Sequence, residues 1–365
     1  MHSTLTIALV TVLGVAVLGC RGGDSDDSGA ASDAVSDPNP FFTESELPFS
    51  LPPFDRIEDR HYRPAFERGM ADHLGEIEAI ASADTSPTLE NTIMAMERSG
   101  RLLARVANVF FALSSADTND VLDEIEAEVA PRLSAHNDAI LLNAQLFARV
   151  KTLYDARDTL ELDPETRRLV EQHYIDLVRA GAQLSDADKA QLTEINAELA
   201  TLETTFGQHV LDEVNAAAVI VDTRDALAGL SENQIAAAGE AAAARELEGT
   251  FVLPLLNTSG QPALASLENR ALRERIMTAS LARGTDGGEF DTRDHVTRMA
   301  KLRVERAQLL GYPTHAAYVL EQQTAQTVEA VTERLASLAP PAVANARREA
   351  ADLPAMIETE EYPKT

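Results

Sequence analysis

The sequence predicts a mainly α fold, an elongated multi-helix lobe with at most a small β-hairpin or sheet. Three observations carry that reading. Apolar residues recur at a helical period of about 3.6 along most of the chain. Helix-start signals, such as Asp163-Pro164-Glu165 and Ser185-Asp-Ala-Asp188, stand in front of those periods. Only two short stretches carry the β-branched and aromatic runs of a strand.

Taken in order, residues 41–53 are rich in Pro and Phe and read as extended. Phe66, Met70, Leu74, Ile77 and Ile80 then follow at steps of 4, 4, 3 and 3, one stripe of an amphipathic helix with Pro64 in its first turn. Residues 88–113 predict one long helix of roughly 40 Å, with Ile93, Met96, Leu103, Val106 and Phe110 facing a core. Val121, Leu122, Ile125 and Val129 continue the pattern up to a kink or break at Pro131. Further helices are predicted over 141–153, 164–180 and 185–214. Ala218-Val-Ile-Val-Asp222 reads as a first strand and Phe251-Val-Leu-Pro-Leu-Leu256 as a second, edge or irregular at Pro254, with a helix over 231–245 between them. Helices resume over 263–283 and, after a loop at 284–288, over 293–310, where Gly311 and Pro313 stop the last. Two more are predicted over 314–321 and 328–353, the latter broken or kinked at Pro340-Pro341. No fixed-period repeat is present, which argues against a solenoid.

Composition narrows the function. The 365 residues hold 31 Lys plus Arg against 59 Asp plus Glu, a formal net charge of −28. A chain this acidic is repelled by nucleic acid and anionic lipid, which argues against a polyanion-binding role. The single cysteine excludes a disulfide framework and a multi-Cys zinc or iron–sulfur site. Without an apolar run of about 20 residues, a multi-span membrane protein is excluded too.

The N-terminus reads as an address. Residues 5–18 form an apolar stretch of signal-peptide length, ending Val17-Leu18-Gly19-Cys20. This resembles a bacterial lipobox, which implies lipidation of Cys20 and removal of a signal peptide over residues 1–20. The chain departs from the usual pattern in having no Lys or Arg in its first residues and Leu18 where a smaller residue is commoner. An ordinary cleaved signal with an incidental Cys is the alternative. Residues 21–40 are polar and acidic and read as a flexible tether. The expected product is an extracytoplasmic, membrane-anchored lipoprotein.

Spacing alone yields no catalytic constellation. None of His2, His61, His73, His136, His173, His209, His295 and His315 lies three or four residues from another, so no helix presents two imidazoles on one face to a metal. Glu58-Asp-Arg-His61 and His73-Leu-Gly-Glu76 are the nearest to half-sites, and both read as surface features of a Glu-rich helical chain. Glu124, Glu126 and Glu128 read as a solvated face, and so do Arg270, Arg273 and Arg275. The glycines at 284–288 read as a solvated turn. No Gly-x-Ser-x-Gly, phosphate-cradling loop or nucleophilic cysteine is evident.

Two stretches point further. Phe251-Val-Leu-Pro-Leu-Leu-Asn257-Thr258-Ser-Gly-Gln-Pro262-Ala-Leu, with Asn269-Arg270-Ala-Leu-Arg-Glu-Arg275-Ile behind it, resembles the mid-chain of bacterial peptidyl-dipeptidases. Leu302-Arg-Val-Glu305-Arg306-Ala-Gln-Leu-Leu-Gly311-Tyr-Pro-Thr-His315-Ala-Ala-Tyr318 resembles the segment that follows there. Upstream, Asn39-Pro-Phe-Phe, Phe54-Asp-Arg-Ile, His61-Tyr-Arg-Pro-Ala-Phe66, Asn91-Thr-Ile-Met-Ala-Met-Glu97, Val109-Phe-Phe-Ala-Leu-Ser and Thr118-Asn-Asp120 resemble the same family in order. The family is the thimet oligopeptidase and oligopeptidase A group of zinc metallopeptidases, in its peptidyl-dipeptidase branch. The resemblance implies a helical fold with a channel for short peptides. It also implies a zinc held by a His-Glu-x-x-His helix and a downstream Glu, with the motif Glu taking a proton from the attacking water.

No position here matches that motif, so no catalytic residue and no metal ligand is carried over. The expected arrangement is a helical N-terminal lobe over 41–255 and the start of a peptidase domain over 256–365, cut before the zinc motif. Zinc belongs to the full-length family and none is expected in this chain. The parent reaction releases C-terminal dipeptides from short peptides; the missing catalytic half is the expected partner, and apolar stripes should lie exposed in residues 290–350. The alternative is a non-catalytic peptide- or partner-binding helical lipoprotein.

Overall fold

The computed structural model describes residues 39–256, 258 and 260–359. The expected signal peptide over 1–20, Cys20 and all but the last two residues of the expected tether over 21–40 lie outside those residues. By its internal packing the chain divides into two compact units, Met1–Ala300 and Lys301–Thr365.

The fold is mainly α. In the first unit, α1 (Tyr62–Ala81), α3 (Arg101–Ala116) and α4 (Asp120–Leu141) pack around an aromatic core. Tyr62, Phe66 and Phe110 are almost wholly enclosed there, and Phe110 meets the other two edge-on, at ring-centroid distances of 5.1 and 5.3 Å. That geometry sets the positive ring edge against the negative face and adds to the burial of three large side chains. Outside this core Arg63 reaches Glu124 and Glu128, and Arg132 reaches Glu67 and Glu128. These pairs are well exposed, so they fix register more than they stabilise.

A second core joins α5 (Ala144–Ala156) and α6 (Pro164–Ala180), with Ile93, Val150, Leu153, Val170 and Leu177 at its centre. Tyr154 stacks on Tyr174 at 3.8 Å, and the Arg157 guanidinium covers the Tyr154 ring at 4.0 Å. The long α7 (Asp186–Ala216) packs against α4. It leads into β1 (Val219–Val221), which pairs antiparallel with β2 (Phe251–Leu253) in the register Val219↔Leu253 and Val221↔Phe251. Helix α8 (Glu232–Ala243) covers this two-stranded sheet, and α9 (Arg270–Leu281) completes a third core around Leu227, Ile235, Leu253 and Ile276. The strand ends before Pro254, which has no N–H to offer a ladder.

Helix α10 (Arg293–Leu309) follows. It stops where Gly311 takes φ +82 and the Tyr312 N–H turns back to the Ala307 carbonyl. Helix α11 (His315–Leu320) is capped by the Thr314 hydroxyl, and α12 (Val328–Thr359) closes the described chain.

The structure differs from the sequence expectation in several places. Residues 41–53 are not simply extended, because short 3₁₀ turns form at Pro40–Phe42 and Pro48–Ser50. The helix predicted over 88–113 is three pieces. A π-turn at Leu89–Ile93 runs into α2 (Met94–Arg98), and Ser99 and Gly100 then break the backbone before α3. The break depends on glycine: Gly100 sits at φ +69, and a Cβ there would stand 2.9 Å from Nδ1 of His73. The stripe Ile93, Met96, Leu103, Val106 read as continuous because apolar spacing does not register one left-handed residue.

The prolines expected to interrupt helices do not. Helix α4 continues through Pro131, and α12 through Pro340 and Pro341. In α4 the buried Leu122, Ile125, Val129 and Leu133 lie on both sides of the proline, and their burial outweighs a cost of about 3 kcal/mol for the lost hydrogen bond.

One buried charge organises the second core. Arg149 on α5 donates to the carbonyls of Ala83 and Thr85 at 2.9 Å, and to Asn91 Oδ1 and Thr92 Oγ1 at 3.0 and 3.3 Å. It thereby holds the 82–92 connection and the π-turn against α5. Replacing it by Arg149→Leu should cost about 2–3 kcal/mol, because four part-buried or buried acceptors lose their donor. Urea unfolding of the two proteins at neutral pH measures the difference.

Candidate functional site

The histidines are the side chains best suited to chemistry here, and the fold brings them together in ways their spacing does not show. His73 on α1 and His136 on α4 are both buried, with Nδ1 of the first 2.9 Å from Nε2 of the second. Ser99 Oγ donates to the Met96 carbonyl at 2.7 Å and stands 3.3 Å from Nε2 of His73. These contacts select one proton arrangement. With its own hydrogen committed to Met96, Ser99 accepts from His73 Nε2–H. Nδ1 of His73 is then a bare acceptor, and it receives the Nε2–H of His136. That leaves Nδ1 of His136 as a buried acceptor without a partner, as observed.

This chain resists protonation at both rings. A proton added to Nδ1 of His73 would meet the N–H of His136, and one added to Nδ1 of His136 would find no acceptor. Burial holds the His73 imidazole below its ordinary range, with Glu76 opposing the shift. For His136, burial and then the neighbouring His73 push it down to about 4. Glu76 does not join the pair; its Oε2 accepts the Gly100 N–H at 2.7 Å and secures the turn between α2 and α3.

A second pair lies where α7 meets residues 284–295. The rings of His209 and His295 are 5.1 Å apart and edge-on, with Phe290 5.9 Å from His209. Beneath them the buried Glu213 accepts the Gly284 N–H, and the Gly284 carbonyl accepts from the Thr292 N–H and hydroxyl at 3.0 and 3.2 Å. Gly284 adopts φ +70 at this corner. The neighbouring Asp212 carboxyl is pushed up by burial and by the charge of Asp123.

The remaining sequence candidates take structural places. His61 and Glu58 form a capping box in which the Glu58 N–H donates to His61 Nδ1 at 2.9 Å, so this half-site starts a helix. His173 meets Glu97 at 2.9 Å. Glu126 is enclosed more deeply than a solvated face implies, and burial raises its carboxyl above the ordinary range while Ser114 opposes the shift. Arg273 donates to the carbonyls of Leu267 and Glu268, and Arg275 to that of Ile220. In the second unit Tyr312 and Tyr318 meet edge-on at 5.1 Å, the Tyr312 hydroxyl donates to Glu321 at 2.6 Å, and Arg306 lies over Tyr318.

A zinc ion needs three or four N, O or S donors around one point at about 2.0–2.3 Å. Among the described residues no group of three or more His, Cys, Asp or Glu side chains is placed to do this. The His73–His136 pair has two nitrogens already joined through a proton, and the Ser99 hydroxyl faces Nε2 of His73. The described residues therefore do not fit a catalytic zinc.

A mainly helical chain, carrying family-like segments along its length, is the kind of scaffold on which helical metallopeptidases are built. Residues 263–364 match the family model described as Peptidase family M3. Over 323 residues the chain is 42% identical to the dipeptidyl carboxypeptidase of Salmonella typhimurium, covering 88% of this chain and 48% of that protein. The Escherichia coli dipeptidyl carboxypeptidase is 41% identical over the same share of this chain and 47% of its own length. Oligopeptidase A of Escherichia coli is 28% identical over 326 residues, again 88% of this chain and 47% of the relative. The chain is thus similar to peptidase family M3, a zinc-dependent family, through the matched segment 263–364 and through these relatives along 88% of its length. It spans about half the length of the curated relatives it matches.

The imidazole pair makes stability depend on acid. Both native values lie below the unfolded histidine value of about 6.5, so the unfolded chain takes up protons first as pH falls. The pair's contribution is intact above about pH 6.5 and is lost progressively toward pH 4. The urea midpoint should fall between pH 7.5 and pH 5, and His136→Asn should flatten that part of the profile while lowering its plateau.

Proposed function

We propose that this chain is the N-terminal, non-catalytic portion of a peptidase of the dipeptidyl carboxypeptidase type. In the whole enzyme, residues 41–255 form a helical lobe and residues 256–365 open the peptidase domain. The parent reaction hydrolyses short peptides and releases C-terminal dipeptides. One observation carries this reading: identity of 42% runs along 88% of the chain yet covers 48% of the relative. The lack, among the described residues, of three or more His, Cys, Asp or Glu side chains placed around one point supports the non-catalytic part of the reading. The purified chain should therefore hold well under one zinc per molecule by elemental analysis and leave an internally quenched peptide uncut. One tightly bound zinc, or dipeptide release, would refute the non-catalytic reading.

The second reading, a helical lipoprotein that binds peptides or a partner without catalysis, draws on the missing ligand cluster among the described residues. Calorimetric titration with short peptides separates the two. Micromolar binding by the isolated chain favours the binding protein, and its absence favours a lobe that acts only within the whole enzyme.

We further propose that Cys20 carries lipid and anchors the body outside the cytoplasm, on the strength of the apolar stretch 5–18 and the lone cysteine behind it. Labelled palmitate should enter the wild-type chain expressed in a bacterial host, and Cys20→Ala should abolish both the label and membrane sedimentation.

A further inference from the structure

Helix α12 stands out from every other long helix in the described chain. Its 32 residues extend over about 48 Å. Val328, Val331, Leu335, Leu338, Ala342, Ala346, Ala350, Leu353 and Ile357 follow one another at steps of three or four, which places them on one side of the helix. In the helices of the first core such a stripe is buried; Val106, Phe110, Ile125 and Val129 are at most 1% exposed. On α12 the large members are open to water: Leu335 is 60% exposed, Leu338 47%, Leu353 55% and Ile357 45%. A row of apolar side chains this long has no benefit in water, and contiguous exposed patches of this kind mark a surface that something covers.

Three observations say what covers it. The whole of α12 lies inside residues 263–364, the segment that matches the peptidase family model. The dipeptidyl carboxypeptidases aligned with this chain are about twice as long, since the alignment takes up 48% of one and 47% of the other. The net charge of −28 opposes both close pairing of two copies and adsorption to an anionic bilayer. No described helix is long and apolar enough to cross a membrane either.

We propose that the apolar face of α12 is the docking surface for the remaining half of the peptidase, the part corresponding to the stretch of the dipeptidyl carboxypeptidases beyond the alignment. This rests on the functional reading above and assigns the surface through which the two halves meet. The stripe forms one wall of a shared core, with Leu335 and Leu338 at one end and Leu353 and Ile357 at the other. The three prolines inside the helix, Pro340, Pro341 and Pro354, fit a helix whose stability comes from a partner more than from its own hydrogen bonds.

Thiol accessibility tests this. In a Cys20→Ser background, Leu335→Cys, Leu353→Cys and the control Ser337→Cys on the opposite side are made in two proteins. One is the chain itself, and the other is the chain fused to the portion of the Escherichia coli dipeptidyl carboxypeptidase that continues past the alignment. Maleimide should react rapidly at all three positions in the chain alone. In the fusion it should slow by about tenfold or more at positions 335 and 353 and stay unchanged at 337. Equal rates in the two proteins would overturn the docking surface. So would slow reaction in the chain alone, whether from a dimer seen by sedimentation or from cover within one monomer. Peptide hydrolysis by the fusion is read separately and reports on the proposed function: a protected stripe without hydrolysis sinks the function and keeps the surface, and hydrolysis without protection does the reverse.

Discussion

A helix that presents one apolar stripe is unstable in water unless a neighbour covers it, and this constraint organises the whole chain. In the first unit the demand is met three times. Aromatic rings interlock between α1, α3 and α4; stacked tyrosines lie between α5 and α6; and aliphatic side chains gather over the small sheet. The second core is not purely local, since Ile93 joins it from far upstream of Val150 and Val170. Helix α12 carries a stripe of the same kind without a cover, and the contrast sets it apart.

Where the chain must turn between covered helices, buried polar groups set the route. Arg149 satisfies the carbonyls of a connection that no regular hydrogen-bond ladder reaches. Glu76 holds the Gly100 N–H, and Glu213 that of Gly284. In each case a polar side chain carried by a helix accepts from, or donates to, backbone at a corner outside the regular ladders, where an unpaired group is among the more expensive faults a fold can contain. The His73–Ser99–Met96 series does the same with neutral groups, and it remains neutral because neither ring has room for a second proton.

These polar assemblies are structural. Among the described residues, His61 serves a helix cap, His73 and His136 meet each other, His173 meets Glu97, and Arg273 and Arg275 donate to backbone carbonyls.

The mainly α class, the helix starts at Pro164 and after Ser185, the strand pair near Val219 and Phe251, and the stop at Gly311 were all legible in the residues, because each depends on local periodicity or local capping. So were the likeness to the family and the lack of paired histidines along any one helix. Other features were not legible. Gly100 breaks a helix because of a ring on α1, 27 residues away in the chain, and Pro131 fails to break one because burial on both sides outweighs its missing hydrogen bond. His73 and His136 are separated by 63 positions, and no spacing rule joins them. By itself the sequence determined what each segment prefers over a few turns. The tertiary structure decided which polar groups are buried together and which apolar face is left bare, because both depend on distances between segments that periodicity does not encode.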